Sequence, residues 1–371
     1  MGIVVGLPHG GASEKDYQVQ FGKNISIQVE VRAPFLPAEW ALQSGIQLTW
    51  PHARTDWAYM LEEVQKCFVA IATEIAKHEL LLIVTPDPDE VKKQISATVN
   101  MENVRFLKCG TNDTWARDHG AITMLDADGP SLLDFTFNGW GLKFASDKDN
   151  EITRRAVETG VLKGKYVNRL GFVLEGGSIE SDGAGTLLTT SECLLSPNRN
   201  GQMNKAEIEE FLRSTFHLER VLWLDYGYLA GDDTDSHVDT LARFCSTNTI
   251  VYVQCNDVQD EHYEELHKME EQLKTFHTLN GKPYRVLALP MVDKIEVEGE
   301  RLPATYANFL IMNDVVLCPT YNQPENDIRA KEVLQEAFPN HEIIGIDCRA
   351  LIKQHGSLHC VTMQYPVGVL K

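Results

Sequence analysis

Ala121-Ile-Thr-Met-Leu-Asp-Ala-Asp-Gly-Pro-Ser-Leu-Leu-Asp-Phe-Thr-Phe137 carries two apolar runs on either side of Asp128-Gly129. An Asp-Gly pair between two such runs signals a β-hairpin, because the tight turn needs residues that tolerate positive φ. The pattern returns three times. Ser178-Ile-Glu and Thr186-Leu-Leu-Thr-Thr flank Asp182-Gly183, and Leu241-Ala-Arg-Phe-Cys and Ile250-Val-Tyr-Val-Gln flank Thr247-Asn248. Asn308-Phe-Leu-Ile-Met and Val315-Val-Leu-Cys flank Asn313-Asp314. The turns fall near 128, 182, 247 and 313, so they are spaced 54, 65 and 66 residues apart. A recurring period of this length points to a repeat architecture.

Helical periodicity follows each hairpin, clearest over 204–216 and 261–277 and weaker over 149–160 and 328–337. One more strand then comes in three of the units, as Val221-Leu-Trp-Leu, Tyr284-Arg-Val-Leu-Ala-Leu and Ile343-Ile-Gly-Ile. The two ends supply the parts of a fifth unit. Gly45-Ile-Gln-Leu-Thr-Trp and a helix over about 56–78 stand near one end, and Leu358-His-Cys-Val-Thr-Met-Gln near the other. Five such α/β units joined head to tail would form a closed ring or propeller, which protects sheet edges. An ordinary mixed α/β sheet accounts for the periodicity equally well.

The composition narrows the function. The chain has 371 residues, 43% of them hydrophobic, and a formal net charge of −19. That charge argues against nucleic-acid binding, which needs basic surface. No apolar run approaches the length of a membrane span. Met1-Gly-Ile-Val-Val-Gly-Leu-Pro is a poor secretion signal, so the protein is read as cytoplasmic. Cysteines 67, 109, 193, 245, 255, 318, 348 and 360 are scattered without a CxxC pair, which suggests reduced, mostly inert core thiols.

Polar or nucleophilic residues open the first strand of each hairpin: Asp118, Glu175, His237 with Asp239, Asn308, and Cys360. In a ring, equivalent positions converge on one axis. A thiol, an imidazole and three carboxylates would then share one pocket, an arrangement that core packing does not explain, since buried charges are costly unless paired or used. Each residue alone has a plainer reading. Cys360 could be a buried thiol, His237 and Asp239 part of a solvated acidic turn, Asp118 half of a structural Arg-Asp segment, and Glu175 an exposed turn residue. As strand residues, 237 and 239 would face one side. The glycines after Glu175 would allow close approach of backbone or ligand.

Several stretches, taken together, resemble the agmatine deiminase family, related to bacterial peptidylarginine deiminase within the guanidine-modifying superfamily. They are Pro37-Ala-Glu-Trp, Leu48-Thr-Trp-Pro-His, Thr55-Asp-Trp, Thr114-Trp-Ala-Arg-Asp-His-Gly and Phe137-Asn-Gly-Trp-Gly, followed by Leu174-Glu-Gly-Gly-Ser, Asp232-Asp-Thr-Asp-Ser-His-Val-Asp, Tyr306-Ala-Asn-Phe and Gly356-Ser-Leu-His-Cys-Val-Thr. The resemblance runs from about residue 36 to 366. It implies a five-bladed, pseudo-symmetric α/β propeller of the pentein type, with 34–371 as a single catalytic domain and 1–33 as an extension of unclear role. Ile25, Ile27, Val29 and Val31 alternate there like a strand.

The resemblance also implies roles. Cys360 would be the nucleophile, His237 the general acid and base, and Asp118 and Asp239 the carboxylates that grip the guanidinium, with Glu175 near His237. Trp115, Asp233, Trp140 and Asn308 would contact the substrate. The implied reaction converts agmatine to N-carbamoylputrescine and ammonia, without metal or organic cofactor, in an enzyme that could be a homodimer. Two positions depart from the family: His355-Gly-Ser-Leu replaces a Gly-rich segment, and Ser236 stands where a glycine is frequent. Deimination of peptidylarginine or free arginine is the nearest alternative. A metal-dependent hydrolase using His237, Asp239 and Asp118 lacks a recognisable ligand spacing. A non-catalytic polyamine binder would not need the Cys360 thiol.

Overall fold

All four predicted hairpins form in the computed structural model of the chain. Ile122–Asp126 pairs antiparallel with Gly129–Thr136, and Gly129 takes a φ of 115° at the turn. Ile179–Ser181 pairs with Thr186–Thr190, Ala242–Ser246 with Thr249–Gln254, and Leu310–Ile311 with Val315–Thr320. In each unit the second strand then pairs in parallel with a third: Lys165–Val173, Arg220–Leu224, Arg285–Pro290 and Glu342–Asp347 respectively. Parallel pairing needs a crossover, and a helix supplies it each time. These helices are Ile152–Glu158, Lys205–Phe216, Tyr263–Thr275 and Pro324–Ala337. Their starts are encoded locally. Asn204 and Glu207 form a reciprocal capping box at the head of Lys205–Phe216, satisfying otherwise orphaned N–H groups.

A four-stranded sheet joins strands from near residue 45 and from near residue 364. Thr362–Pro366 pairs antiparallel with Gln43–Thr49, which pairs in parallel with Leu80–Thr85 across the helix Leu61–His78. A fourth strand, Val104–Lys108, extends this sheet beyond the helix Pro88–Ile95. The structure describes residues 33–371 throughout and, before them, the backbone of Ile3–Val4, Lys15–Phe21 and Ile25–Val31. Ile25–Val31 is a strand, as its alternation predicts, and is the middle one of three. The stretch from which the lack of a secretion signal is read lies, apart from the Ile3–Val4 backbone, outside the described residues. Among the described residues no helix is long and apolar enough to cross a membrane.

Two predicted strands are shorter in the fold. Only Leu310–Ile311 of the run 308–312 is regular, because the Asn308 side chain is engaged with the 359–360 backbone. The C-terminal strand begins at Thr362, whose N–H donates to the His359 carbonyl (3.0 Å) and closes a turn ahead of it. All eight cysteines are buried and free.

Candidate active site

The candidate residues sit in turns leading into the strands, not in the strands themselves. Asp118 lies in the helical turn Ala116–His119, Glu175 just before the turn Gly176–Ser178, and His237 just before Val238–Thr240. This corrects the expectation that 237 and 239 share a strand face. The Thr240 N–H donates to the His237 carbonyl and the Leu241 N–H to the Val238 carbonyl, and the strand starts only at Ala242. Arg117 and Asp118 are likewise helical rather than extended, with the Asp118 N–H donating to the Trp115 carbonyl.

The turns still converge, and Gly177 marks the point. A Cβ placed there would lie 2.7 Å from His237 Nδ1, 2.9 Å from Asp118 Oδ1 and 3.0 Å from Asp239 Oδ2. His237 Nδ1 stands 3.7 Å from Asp118 Oδ1. Asp118 is fixed from two directions: the Gly177 N–H donates to Oδ1 (3.0 Å), and the Trp140 indole N–H to Oδ2 (2.9 Å). Trp140 achieves this through an unusual backbone, with φ values of 65°, 55° and 86° at Gly139, Trp140 and Gly141. Such left-handed stretches are uncommon outside glycine, and here one aims a donor at a buried carboxylate.

Cys360, Asp118, Trp115, Trp140 and Asp233 line one cavity of about 400 Å³. Trp115 and Trp140 meet edge to face, with ring centroids 6.1 Å apart. Of the expected substrate contacts, Asn308 stands elsewhere. Its side-chain oxygen faces the Cys360 N–H (3.2 Å) and Sγ (3.3 Å), so it holds the thiol rather than the cavity wall. His237, Asp239 and Glu175 are buried beyond the lining.

The electrostatics follow from burial and from carboxylates set close together. Burial, reinforced by Asp239 and Asp118, pushes the Cys360 thiol well above its ordinary range. Burial and the Asp239 charge push Asp118 well up. Burial, and to a lesser extent Arg199, lowers His237 to about 3. At the mouth, burial together with Asp56 and Asp149 raises Asp113 to about 8.

Sequence reading missed Arg199. Its guanidinium, fully buried, donates from Nε to Glu175 (2.9 and 3.1 Å) and from Nη1 to Asp235 (2.6 Å). Burial still raises the pKa of Glu175, and the charge-assisted pair with Arg199 offsets part of that rise. The loop that follows is held by Asp232, which accepts from the Thr234 and Ser236 N–H groups. Ser236 has a φ of 61°, a region glycine occupies without cost, which accounts for the family's glycine there. Here the serine hydroxyl donates to Glu192 (3.1 Å).

Among the described residues, two buried donor sets have the spacing for a metal: Glu175, Cys193 and His237, and Glu39, Glu180 and His359. An arginine occupies each. Arg199 binds Glu175, and Arg243 binds both Glu39 and Glu180, supplying the positive charge a cation would bring.

The model of the Porphyromonas-type peptidyl-arginine deiminase family matches residues 35–366. The chain belongs to this family. An agmatine deiminase of Pseudomonas fluorescens Pf-5 is 31% identical over 90% of this chain and 95% of its own length. Among solved structures, a Porphyromonas gingivalis protein provisionally described as an arginine deiminase is 52% identical. That match covers 91% of this chain and all of the other, with a TM-score of 0.86. C. jejuni agmatine deiminase, solved as a Cys-to-Ser variant with substrate bound, is 39% identical over 91% of this chain and 97% of its own, with a TM-score of 0.84. The family shares the α/β fold described above.

Within this site the Trp140 N–H is the donor whose loss is easiest to isolate. Trp140→Phe keeps one aromatic ring, loses the five-membered ring with its N–H, and leaves Asp118 Oδ2 without that partner, a loss of about 1–2 kcal/mol. The expected result is a roughly tenfold fall in kcat/KM, with the melting temperature lowered by only a few degrees. Unchanged kinetics would show that the indole N–H does not orient Asp118.

Proposed function

We propose that the chain is an agmatine deiminase, hydrolysing agmatine to N-carbamoylputrescine and ammonia through a covalent bond to Cys360. One observation carries the reading: a thiol and a carboxylate meet in an aromatic-walled cavity rich in acids. Asp56, Asp113, Asp118, Asp149, Asp232 and Asp233 line it, against Arg54, Lys143 and Lys148. Lys143 is already engaged by Asp235 and the Asp233 carbonyl. Agmatine brings two positive charges and no carboxylate. Free arginine would bring an α-carboxylate into this field, and its best case rests on Arg54 and Lys148 together with the arginine deiminase description of the Porphyromonas gingivalis protein.

The chemistry follows from the charges. A guanidinium is a weak electrophile until its plane is fixed, and Asp118 and Asp239 are suited to holding it by paired hydrogen bonds. The arriving cation offsets the carboxylate charge that keeps the thiol protonated, so with substrate present the Cys360 thiol passes its proton to His237 and the reactive thiolate forms. Sulfur adds to the guanidinium carbon to give a tetrahedral species. His237 donates a proton to the departing nitrogen, the C–N bond breaks, and ammonia leaves an S-alkylthiouronium on Cys360. His237 then takes a proton from water as its oxygen adds to that carbon. The C–S bond breaks, sulfur leaves as the thiolate, and the ureido product is released. Glu175, bound by Arg199, stands near His237, within the spacing of the donor set it forms with Cys193.

The same reading arranges the five units about one axis as a propeller, which the repeated strand order and the pairing of Thr362–Pro366 with Gln43–Thr49 support. It treats 34–371 as one catalytic unit, supported by the family match over 35–366, and expects a cytoplasmic homodimer. Ammonia release from agmatine, free arginine and a peptidylarginine tests the substrate. Agmatine is expected to lead by at least about 100-fold in kcat/KM, since an α-carboxylate or a peptide backbone meets a lining with twice as many carboxylates as cations. A lead by arginine or peptidylarginine would move the substrate, and no release from any of the three would overturn the reading.

A further inference from the structure

We propose that His359, the residue before the nucleophile, is a positioning residue that fixes the Asp239 carboxylate for the guanidinium by bridging it to Glu39. The proposal rests on the reading of Asp239 as a guanidinium ligand and adds the device that aims it.

His359 is 1% exposed and reaches two carboxylates at once. Its Nδ1 is 2.7 Å from Asp239 Oδ2 and its Nε2 is 2.7 Å from Glu39 Oε2. Carboxylate oxygens only accept, so the contact with Asp239 needs a proton on Nδ1. Nε2 stands between the Glu39 oxygen and Arg243 Nη2 (3.1 Å), a group that only donates. Burial and the charges of Arg117 and Arg243 lower the pKa of His359, and the Asp239 contact keeps a proton on Nδ1.

The far end of the bridge is rigid. Glu39 Oε2 accepts from Arg243 Nη2 (2.6 Å), and its Oε1 accepts from the Ile311 N–H (2.9 Å). Arg243 also donates to Glu180, to the Ala307 carbonyl (3.1 Å) and to the Phe309 carbonyl (2.8 Å). Its guanidinium lies over the Phe309 ring at 4.6 Å. Elements from three of the five sheet units thus lock Glu39, and through it His359. At the near end, His359 takes Asp239 Oδ2, while Oδ1 has no hydrogen-bond partner among the described residues. Asp239 thereby keeps one oxygen free of hydrogen bonds, while the other, held by His359, stands around Gly177 with His237 and Asp118. The bond and charge of His359 also hold Asp239 below its ordinary pKa despite full burial.

Two variants separate aim from packing. In His359→Asn the amide nitrogen can take the place of Nδ1 and keep the bond to Asp239. In His359→Gln it can take the place of Nε2 and keep only Glu39. Both replace the ring by a neutral amide. The readout is the ratio of Cys360 alkylation rates by 2-chloroacetamidine, a cation, and 2-chloroacetamide, its neutral counterpart. His359→Gln is expected to lower this ratio about 100-fold, the usual scale for a displaced orienting group, and His359→Asn by less than about tenfold. The values of kcat/KM for agmatine should fall in the same order. Equal losses in both variants, or an unchanged ratio in both, would overturn the proposal. The ratio needs no turnover, so a wrong substrate assignment would leave it intact and show only in kcat/KM. Glu39→Gln gives a reading even if a His359 variant does not fold. It leaves the Nδ1–H bond to Asp239 in place and should lower the ratio by less than about tenfold. A hundredfold fall there would place the effect in the buried charge network and overturn the proposal.

Discussion

Cys360→Ser is expected to lower agmatine turnover by at least about 10⁴-fold, about 5.5 kcal/mol of barrier, while leaving agmatine binding within about tenfold. The two side chains are close in size, so Asn308 can still hold the position through its side-chain oxygen, 3.3 Å from Sγ. The difference is ionisation. Burial and the Asp239 and Asp118 charges already push the thiol well up, and a hydroxyl starts several units higher. An arriving guanidinium can offset two carboxylates for a thiol but not for an alcohol. Single-turnover ammonia release measures the loss, and the agmatine-dependent rise in melting temperature measures retained binding. Residual turnover above about 1% of the parent would sink the covalent route. The parent thiol should itself react slowly with a neutral alkylator at pH 7 and faster as pH rises past its elevated pKa, because only the thiolate attacks.

The fold was legible where chemistry is local. Asp128-Gly129 and Asp182-Gly183 announce their turns, and the helical periodicity of 204–216 announces the helix Lys205–Phe216. Regular alternation overstated the strands at 308–312 and 358–364, because the side chain of Asn308 is engaged with the backbone of 359–360. The thiol, imidazole and carboxylates could be listed from the residues that open each hairpin, with their roles coming from the family resemblance. Their supports could not. Arg199 reaches Glu175 from a separate helical turn, and Glu39 reaches His359 across 320 positions of sequence. No periodicity encodes such contacts. His359 and Glu39 stood inside the matching stretches without a role, because a motif shows that a residue recurs and not what it touches. The argument that 237 and 239 alternate on a strand failed for the same reason: a turn closed by the His237 carbonyl overrides a period of two.

Gly177→Ala should cost about 10³-fold in kcat/KM without removing any chemical group. Gly177 has no positive φ, so alanine fits its backbone and the effect is steric alone. The added methyl would stand 2.7 Å from His237 Nδ1, 2.9 Å from Asp118 Oδ1 and 3.0 Å from Asp239 Oδ2. Carbon against nitrogen or oxygen needs about 3.5 Å, so the proposed acid-base group and both proposed guanidinium ligands must move together. Displacing one orienting group by about 1 Å commonly costs 100-fold, and here three are displaced at once. Overpacking by one methyl destabilises by about 1–3 kcal/mol, which a domain of this size tolerates, so the variant should fold and melt only a few degrees lower. Gly171→Ala is the control, since a Cβ there meets nothing within 4 Å, and its kinetics should match the parent. If Gly177→Ala instead kept kcat/KM within tenfold, the three side chains could not be acting from the positions they hold around that glycine. The site would then have to assemble in a different arrangement when substrate enters.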